Sequence, residues 1–459
     1  MAKIAALGAY LYQSLVAFGL LIVIANLLPA KDYAGYSLFI SIVQFADIVC
    51  FQWISAASSR FYPGPDQASE QVERGVIGTE LAGSGGICLL VAFLGPLFGI
   101  SIWLGLVGAL AAILQGAGEL HLTMLRFRQE FRLFSWLQGA RATTLALATI
   151  TGAALRADLA HVVAGVMAGN VIYCTLALFQ SRQVMPLSAC WDGDIVKRNL
   201  AYGGISAGAG VATLLVPLGI KSILLGSLGS AAAGPMLALD LLQRPFVMLT
   251  SSLQAIRFPD LVAQFDRKGG AQTIQAELGR YYALLVGLSL IGAAAIVATL
   301  SLATQLVVPA GLREAFLHAA PFVMLMAMLR AVVQTVLPTP AQLKRLLPII
   351  LGLAIIECVL TCGGALAAAW LGAGTPMAVT AGAATGAAAA TLIGVFMQRW
   401  RSFTMPWQPV LPPAAALLLA WLISAWQPGS LLISTGLALV AVAALTALPL
   451  LTLVRWIAV

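Results

Sequence analysis

Charge is what this sequence has least of. Only 9% of its 459 residues are Asp, Glu, Lys or Arg, against about 25% in an ordinary soluble domain. A surface so poor in charge cannot face water throughout, and the 61% of apolar residues point to lipid. Histidine is nearly absent, with only His121, His161 and His318. No metal triad, Walker-type phosphate loop or dinucleotide fingerprint occurs, so no cofactor is expected. Cysteine is sparse too. Cys50, Cys88, Cys174, Cys358 and Cys362 lie in apolar runs and Cys190 in a loop, which leaves no disulfide framework. Cys358 and Cys362, at i and i+4, are a possible metal pair. With no His or third Cys beside them they read as small buried hydrophobes.

What is present is a series of long apolar runs. They predict helices near 4–28, 36–58, 76–98, 100–122, 134–155, 159–180, 200–226, 231–256, 277–308, 315–337, 347–371, 376–397, 410–426 and 430–454. The expected fold is therefore all-α and integral to a membrane, with about fourteen crossings. The first run exceeds the h-region of a cleaved signal peptide and reads as a retained helix. The loops between runs are short. A polytopic polymerase, ligase or acyltransferase would need a long outside loop, so a non-enzyme is expected.

Basic residues set the orientation. Alternate segments hold Lys3, Arg60, Arg74, Arg126, Arg128, Arg132, Arg182, Lys197, Arg198, Arg257, Arg267, Lys268, Lys344, Arg345, Arg399, Arg401 and Arg455; the opposite segments hold only Lys31, Arg156 and Arg313. Lys and Arg are retained in the cytoplasm, so both chain ends are expected there. The net charge of +8 thus reads as a topology signal and not as a nucleic-acid footprint.

The sequence also repeats itself. Leu27-Leu28-Pro29 through Gly35 to Arg60-Phe61-Tyr62-Pro63 matches Leu224-Leu225-Gly226 through Gly234 to Arg257-Phe258-Pro259. Arg60 and Arg257 lie 197 residues apart, and Glu80 and Glu277 keep that offset. A chance match of residues common in membrane proteins is the alternative. A true repeat equates spans 1–2 with spans 7–8, inserted in the same direction, as in transporters built from two rocking bundles. The expected organisation is a six-helix bundle over 1–182, a second over 183–400, and two further helices over 401–459.

Charges inside the spans need a reason, since each costs roughly 2.5–3.5 kcal/mol at mid-membrane. They are Asp47, Glu80, Glu119, Asp240 and Glu357 against Arg141, Lys221, Arg244 and Arg330. Glu80 and Glu119 fall near the cytoplasmic ends, and Lys221 is near enough to the outer end to snorkel. In the eighth span Asp240, Gln243, Arg244, Ser251 and Gln254 share a face; in the second, Ser41, Gln44, Asp47, Ser55 and Ser58 do. Such faces line a polar cavity or another helix. Mutual pairing of the charges, Asp240 with Arg244 at i, i+4 for one, is the competing explanation. Small-xxx-small spacings at Gly165/Gly169, Gly204/Gly208 and Gly382/Gly386 predict close helix packing.

The run from Leu27 to Tyr36, followed one helix later by Arg60-Phe61-Tyr62-Pro63, resembles the multidrug/oligosaccharidyl-lipid/polysaccharide flippase superfamily, in its polysaccharide-transporter branch. Ser222 to Gly234 and Phe258-Pro259 resemble that family's second half. Two departures stand out: Ala30 replaces a Gly, and Lys221 stands where many relatives carry an acid. The resemblance implies alternating access and the flipping of polyprenyl-diphosphate-linked sugars, generally coupled to an ion gradient. Arg244 and Lys221 would then hold the diphosphate, and Arg60 and Arg257 would attract it at the cytoplasmic mouth. Gln44, Gln243 and Ser41 would bond sugar hydroxyls, and Asp47 or Asp240 would carry H+ or Na+. The implied partners are a lipid-linked glycan, membrane lipids and polysaccharide polymerase machinery, in a bacterial inner membrane. A multidrug or small-cation antiporter of the same superfamily is the alternative, and it predicts an acid-dominated cavity.

Overall fold

The structure is a computed structural model that describes residues 2–62, 67–93, 101–182, 184, 188–268, 275–344, 346–373, 375–399, 406–426 and 430–458. It is 92% helical, with no strand among the described residues. In chain order the helices are α1 Ala2–Leu27, α2 Ala30–Phe61, α3 Gln67–Phe93, α4 Ile102–Phe127, α5 Phe131–Leu155, α6 Leu159–Ser181 and α7 Gly193–Leu228. There follow α8 Ala233–Lys268, α9 Gln275–Val307, α10 Arg313–Ala331, the short α11 Thr339–Leu343, α12 Leu347–Ala368, α13 Pro376–Arg399, α14 Leu411–Trp426 and α15 Leu431–Ala458. α10 runs into a π-helical turn over Val332–Val336.

Local chemistry sets several boundaries. Ser101 caps α4 by accepting from the Leu104 N–H at 3.3 Å. Asp158 caps α6 in the same way, accepting from the His161 N–H at 2.9 Å. That backbone bond and the His161 ring hold the Asp158 carboxyl below the usual carboxylate range. Only a 3-10 turn over Gly229–Ala232 separates α7 from α8, and Gly229 enters it at φ 56°, where a side chain would be strained. Pro217 lies inside α7 without ending it, as the expected span over 200–226 requires. Lipid on the outside and neighbouring helices on the inside sustain a helix through a proline that water would fray.

Among the described residues, eleven stretches are long and apolar enough to cross a membrane, which makes this a multi-pass membrane protein. One of them, Gly193–Thr250, contains α7 and most of α8. α5 falls outside the eleven because Arg132, Gln138, Arg141 and its threonines dilute its apolar character; α14 falls outside because it is only 16 residues long. Leu155, Phe179, Trp370 and Leu371 are exposed, as suits side chains facing acyl chains.

The chain divides into two compact units, Met1–Leu218 and Gly219–Val459. Within the first, α5 packs on α6 and α1, α2 on α4, and α4 on α6. Within the second, α12 packs on α13, α8 on α10, and α10 on α13, with α14 and α15 against α9. With α11 set aside, each unit thus packs its second helix on its fourth, its fourth on its sixth, and its fifth on its sixth. Glycine permits the tightest of these contacts. A Cβ at Gly165 would collide with the Ala148 carbonyl oxygen, and one at Gly386 with that of Leu360. Gly204 meets nothing; its neighbour Gly203 lies against the Trp53 backbone instead.

Candidate functional site

The predicted functional side chains fall into three groups. In the first unit, α2 contributes Ser41, Gln44 and Asp47. Ser41 is buried and returns its hydroxyl to the Ser37 carbonyl at 2.9 Å, whereas Gln44 is exposed. Asp47 is buried and accepts from Gln115 Nε2 of α4 at 3.2 Å. One turn on, Glu119 accepts from Arg141 of α5 at 3.0 Å, and that guanidinium lies 5.9 Å from the centre of the Tyr173 ring. Asp47 feels the charges of both Glu119 and Arg141. Two acids therefore share one base at the heart of this unit. Arg141 thus holds Glu119 in an ion pair.

The second group lies where α2 turns into α3. The side chain of Arg60 is outside the described residues. Phe61 meets Tyr202 of α7 edge-on at 5.3 Å, and the Arg198 guanidinium stands 4.5 Å from its ring centre. Arg198 is also ion-paired with Glu73. The Tyr62 hydroxyl donates to Glu70 at 2.6 Å, and Glu70 accepts from Arg128 at 2.6 Å. Burial, then Glu70, pushes the Tyr62 phenol above its ordinary value. Glu80 accepts from the Asn199 amide at 3.1 Å. The aromatic pair of the Arg-Phe-Tyr-Pro motif thus fastens α2 to α3 and α7. Its partners Glu70, Glu73, Arg198 and Asn199 carry no sequence signal of their own, since each reads as a loop or helix-end charge until the fold brings it close.

The third group is in the second unit. Lys221 of α7 donates to Asp240 of α8 at 2.7 Å, with both side chains largely buried. Lys221 does not snorkel outward, because a carboxylate within reach stabilises the ammonium better than a stretch to the interface. Asp240 pairs with that lysine instead of with Arg244. Two residues beyond Leu241, the side-chain Oε1 of Gln243 accepts from Arg330 of α10 at 3.2 Å. Arg330 donates through Nε to Glu357 of α12 at 2.6 Å, and Gln334, from the π-helical turn, donates to the same oxygen at 2.9 Å. Glu357 is completely buried. Arg244, the next residue along α8, is half-buried and has no hydrogen bond or ion pair among the described residues. Arg257 is half-buried near the other end of α8, where Gln254 donates to Gln342 at 3.3 Å.

The pattern is chemically simple. Lys221, Arg330 and Arg141 each neutralise an acid inside the protein, so none has its charge to spare. Arg244 does. A cation kept at depth with no internal partner is costly unless it meets water or an anion. No group of three or more His, Cys, Asp or Glu able to hold a metal ion occurs among the described residues.

Two helical units packed alike, each with polar side chains at its centre and apolar side chains on its outside, form a fold shared with several solved membrane proteins. Among solved structures, the lipid II flippase MurJ in its inward closed conformation matches over 98% of this chain and 100% of its own, with a TM-score of 0.78 at 11% identity. An inward-facing multidrug resistance MATE family transporter of the MOP superfamily matches over 85% of this chain and 94% of its own, with a TM-score of 0.58 at 14% identity. A MOP superfamily transporter from Pyrococcus furiosus, with a binding pocket of reversed polarity, covers 87% and 94%, with a TM-score of 0.54 at 14% identity. No protein-family model matches the sequence, and no curated protein matches it.

Proposed function

We propose that this chain flips a polyprenyl-diphosphate-linked oligosaccharide across a bacterial cytoplasmic membrane by alternating access, for cell-surface polysaccharide biosynthesis. The observation that carries the reading is Arg244. Among the described residues it is the half-buried base with no hydrogen bond or ion pair, one turn from Asp240, whose charge is taken by Lys221. A diphosphate offers the pair of oxygens that a guanidinium binds in a fork. Lys221 serves the site as the partner of Asp240, holding α7 and α8 together beside Arg244. Gln243 presents Arg244 by anchoring α8 to Arg330. Gln44 and Ser41 remain candidates for sugar hydroxyls, and Arg60 and Arg257 for the cytoplasmic mouth. Both termini lie in the cytoplasm in this reading, and polymerase machinery receives the flipped glycan.

The coupling ion, H+ or Na+, goes to Asp47 and not to Asp240, because Asp240 already has Lys221 while Asp47 shares a single arginine with Glu119. The same acid surplus favours the second reading, a cation antiporter. One experiment separates them. In proteoliposomes, Arg244→Ala is expected to abolish flipping of a fluorescent lipid-diphosphate glycan, with protein folding unaltered. Full flipping by that variant would overturn the assignment, and export of a cationic dye that survives it would favour the antiporter.

A further inference from the structure

At one end of the first unit, the turn between α4 and α5, the start of α5 and the end of α6 leave an open cavity of about 670 Å³. Its walls are Gln129, Glu130, Phe131, Arg132, Leu133 and Trp136 with Gln180 of α6. The transport reading uses none of these residues. The cavity has a polar side and an apolar side. Arg132 is exposed and has no ion pair or hydrogen bond among the described residues. Glu130, the acid in the wall, is neutralised by Arg128 at 2.8 Å, and Arg128 reaches on to Glu70. Around the same end stand Arg126 and Arg182, so cations outnumber acids. Gln129 and Gln180 add amide donors. Phe131, Leu133 and Trp136 supply the apolar side, and Trp136 is 49% exposed.

Depth fits this division. Trp136 lies five residues into α5, roughly 7–8 Å from the helix start. That is one interfacial layer below the arginines, the level at which tryptophan settles between headgroups and acyl chains. By the sidedness of the basic residues, this end faces the cytoplasm. A ligand that matches both sides has a phosphate ester beside a short apolar stretch.

We infer that this cavity is a binding site for the headgroup of an anionic phospholipid of the cytoplasmic leaflet, with Arg132 on the phosphate and Trp136 against the glycerol backbone. Its test does not depend on transport. The full chain is reconstituted into vesicles of phosphatidylcholine with increasing phosphatidylglycerol, either lipid being brominated on its acyl chains. The Trp136 signal is taken as the difference between wild type and Trp136→Phe, since the chain has 10 tryptophans. Brominated phosphatidylglycerol is expected to quench that signal at a lower mole fraction than brominated phosphatidylcholine. Arg132→Gln is expected to raise the mole fraction required about fivefold. If Arg132→Gln does not fold, Gln180→Leu takes its place with a smaller shift in the same direction. Equal quenching by the two lipids, or an unaltered mole fraction in the variant, would overturn the site. Loss of the preference on adding inorganic phosphate would reassign it to the free anion.

Discussion

At the scale of single residues, burial decides what each charge can do. Arg330 and Glu357 lie 2.6 Å apart with almost no exposure, so the charge of each is balanced by the other. Removing one partner leaves an unpaired charge inside the protein, which costs about 3–5 kcal/mol, whereas replacing both by apolar groups of similar size is close to neutral. Arg330→Met is therefore expected to lower the thermal unfolding midpoint of the purified protein sharply. The double variant Arg330→Met/Glu357→Leu should recover most of the loss. Additive losses would mean that the two side chains do not support each other. Arg244 should behave differently, because its removal leaves no orphaned partner. Its substitution is expected to spare stability and to act on transport alone.

At the scale of elements, the sequence carried its message unevenly. Helices such as α6 and α9 were readable to within a few residues because lipid demands an unbroken apolar run. The polar stripe of α8 was readable from helical spacing, but its pairings were not. Asp240 has Arg244 four residues ahead of it, and nothing in the chain's order announces Lys221, nineteen residues back across a turn. Proline was no obstacle: the expected span over 200–226 already runs through Pro217, and α7 does the same. Glycine was a better guide. Gly382 and Gly386 place α13 against Gly364 and Leu360 of α12. Gly386→Leu should force these helices apart at a cost of at least about 1–3 kcal/mol, read as a lower unfolding midpoint. An equal change at Gly204, which faces open space, should leave it unmoved.

At the scale of the molecule, the internal repeat is the most informative property of the sequence. The match around Arg60 and Arg257 was slight in residues, yet α2 with α4 and α8 with α10 pack in the same manner within their own units. Sidedness belongs to this scale too, and Cys190 reports it. Cys190 is exposed, and its segment bonds to α3, its N–H donating to the Gly75 carbonyl at 3.0 Å. The other cysteines lie within helices. A membrane-impermeant maleimide is thus expected to label Cys190 in inside-out vesicles and to leave it untouched in right-side-out cells. Labelling from outside would reverse the orientation derived from the basic residues.

The bond between Lys221 and Asp240 also bears on how the chain is made. The two residues sit on consecutive helices joined by four residues, so they leave the ribosome within moments of each other. Presented singly to the lateral gate of the insertion machinery, each helix would expose a naked charge to lipid. Released together as a hairpin, they expose a neutral pair. The short Gly229 turn thus makes α7 and α8 one cargo for membrane integration, with the partner of each charge delivered alongside it.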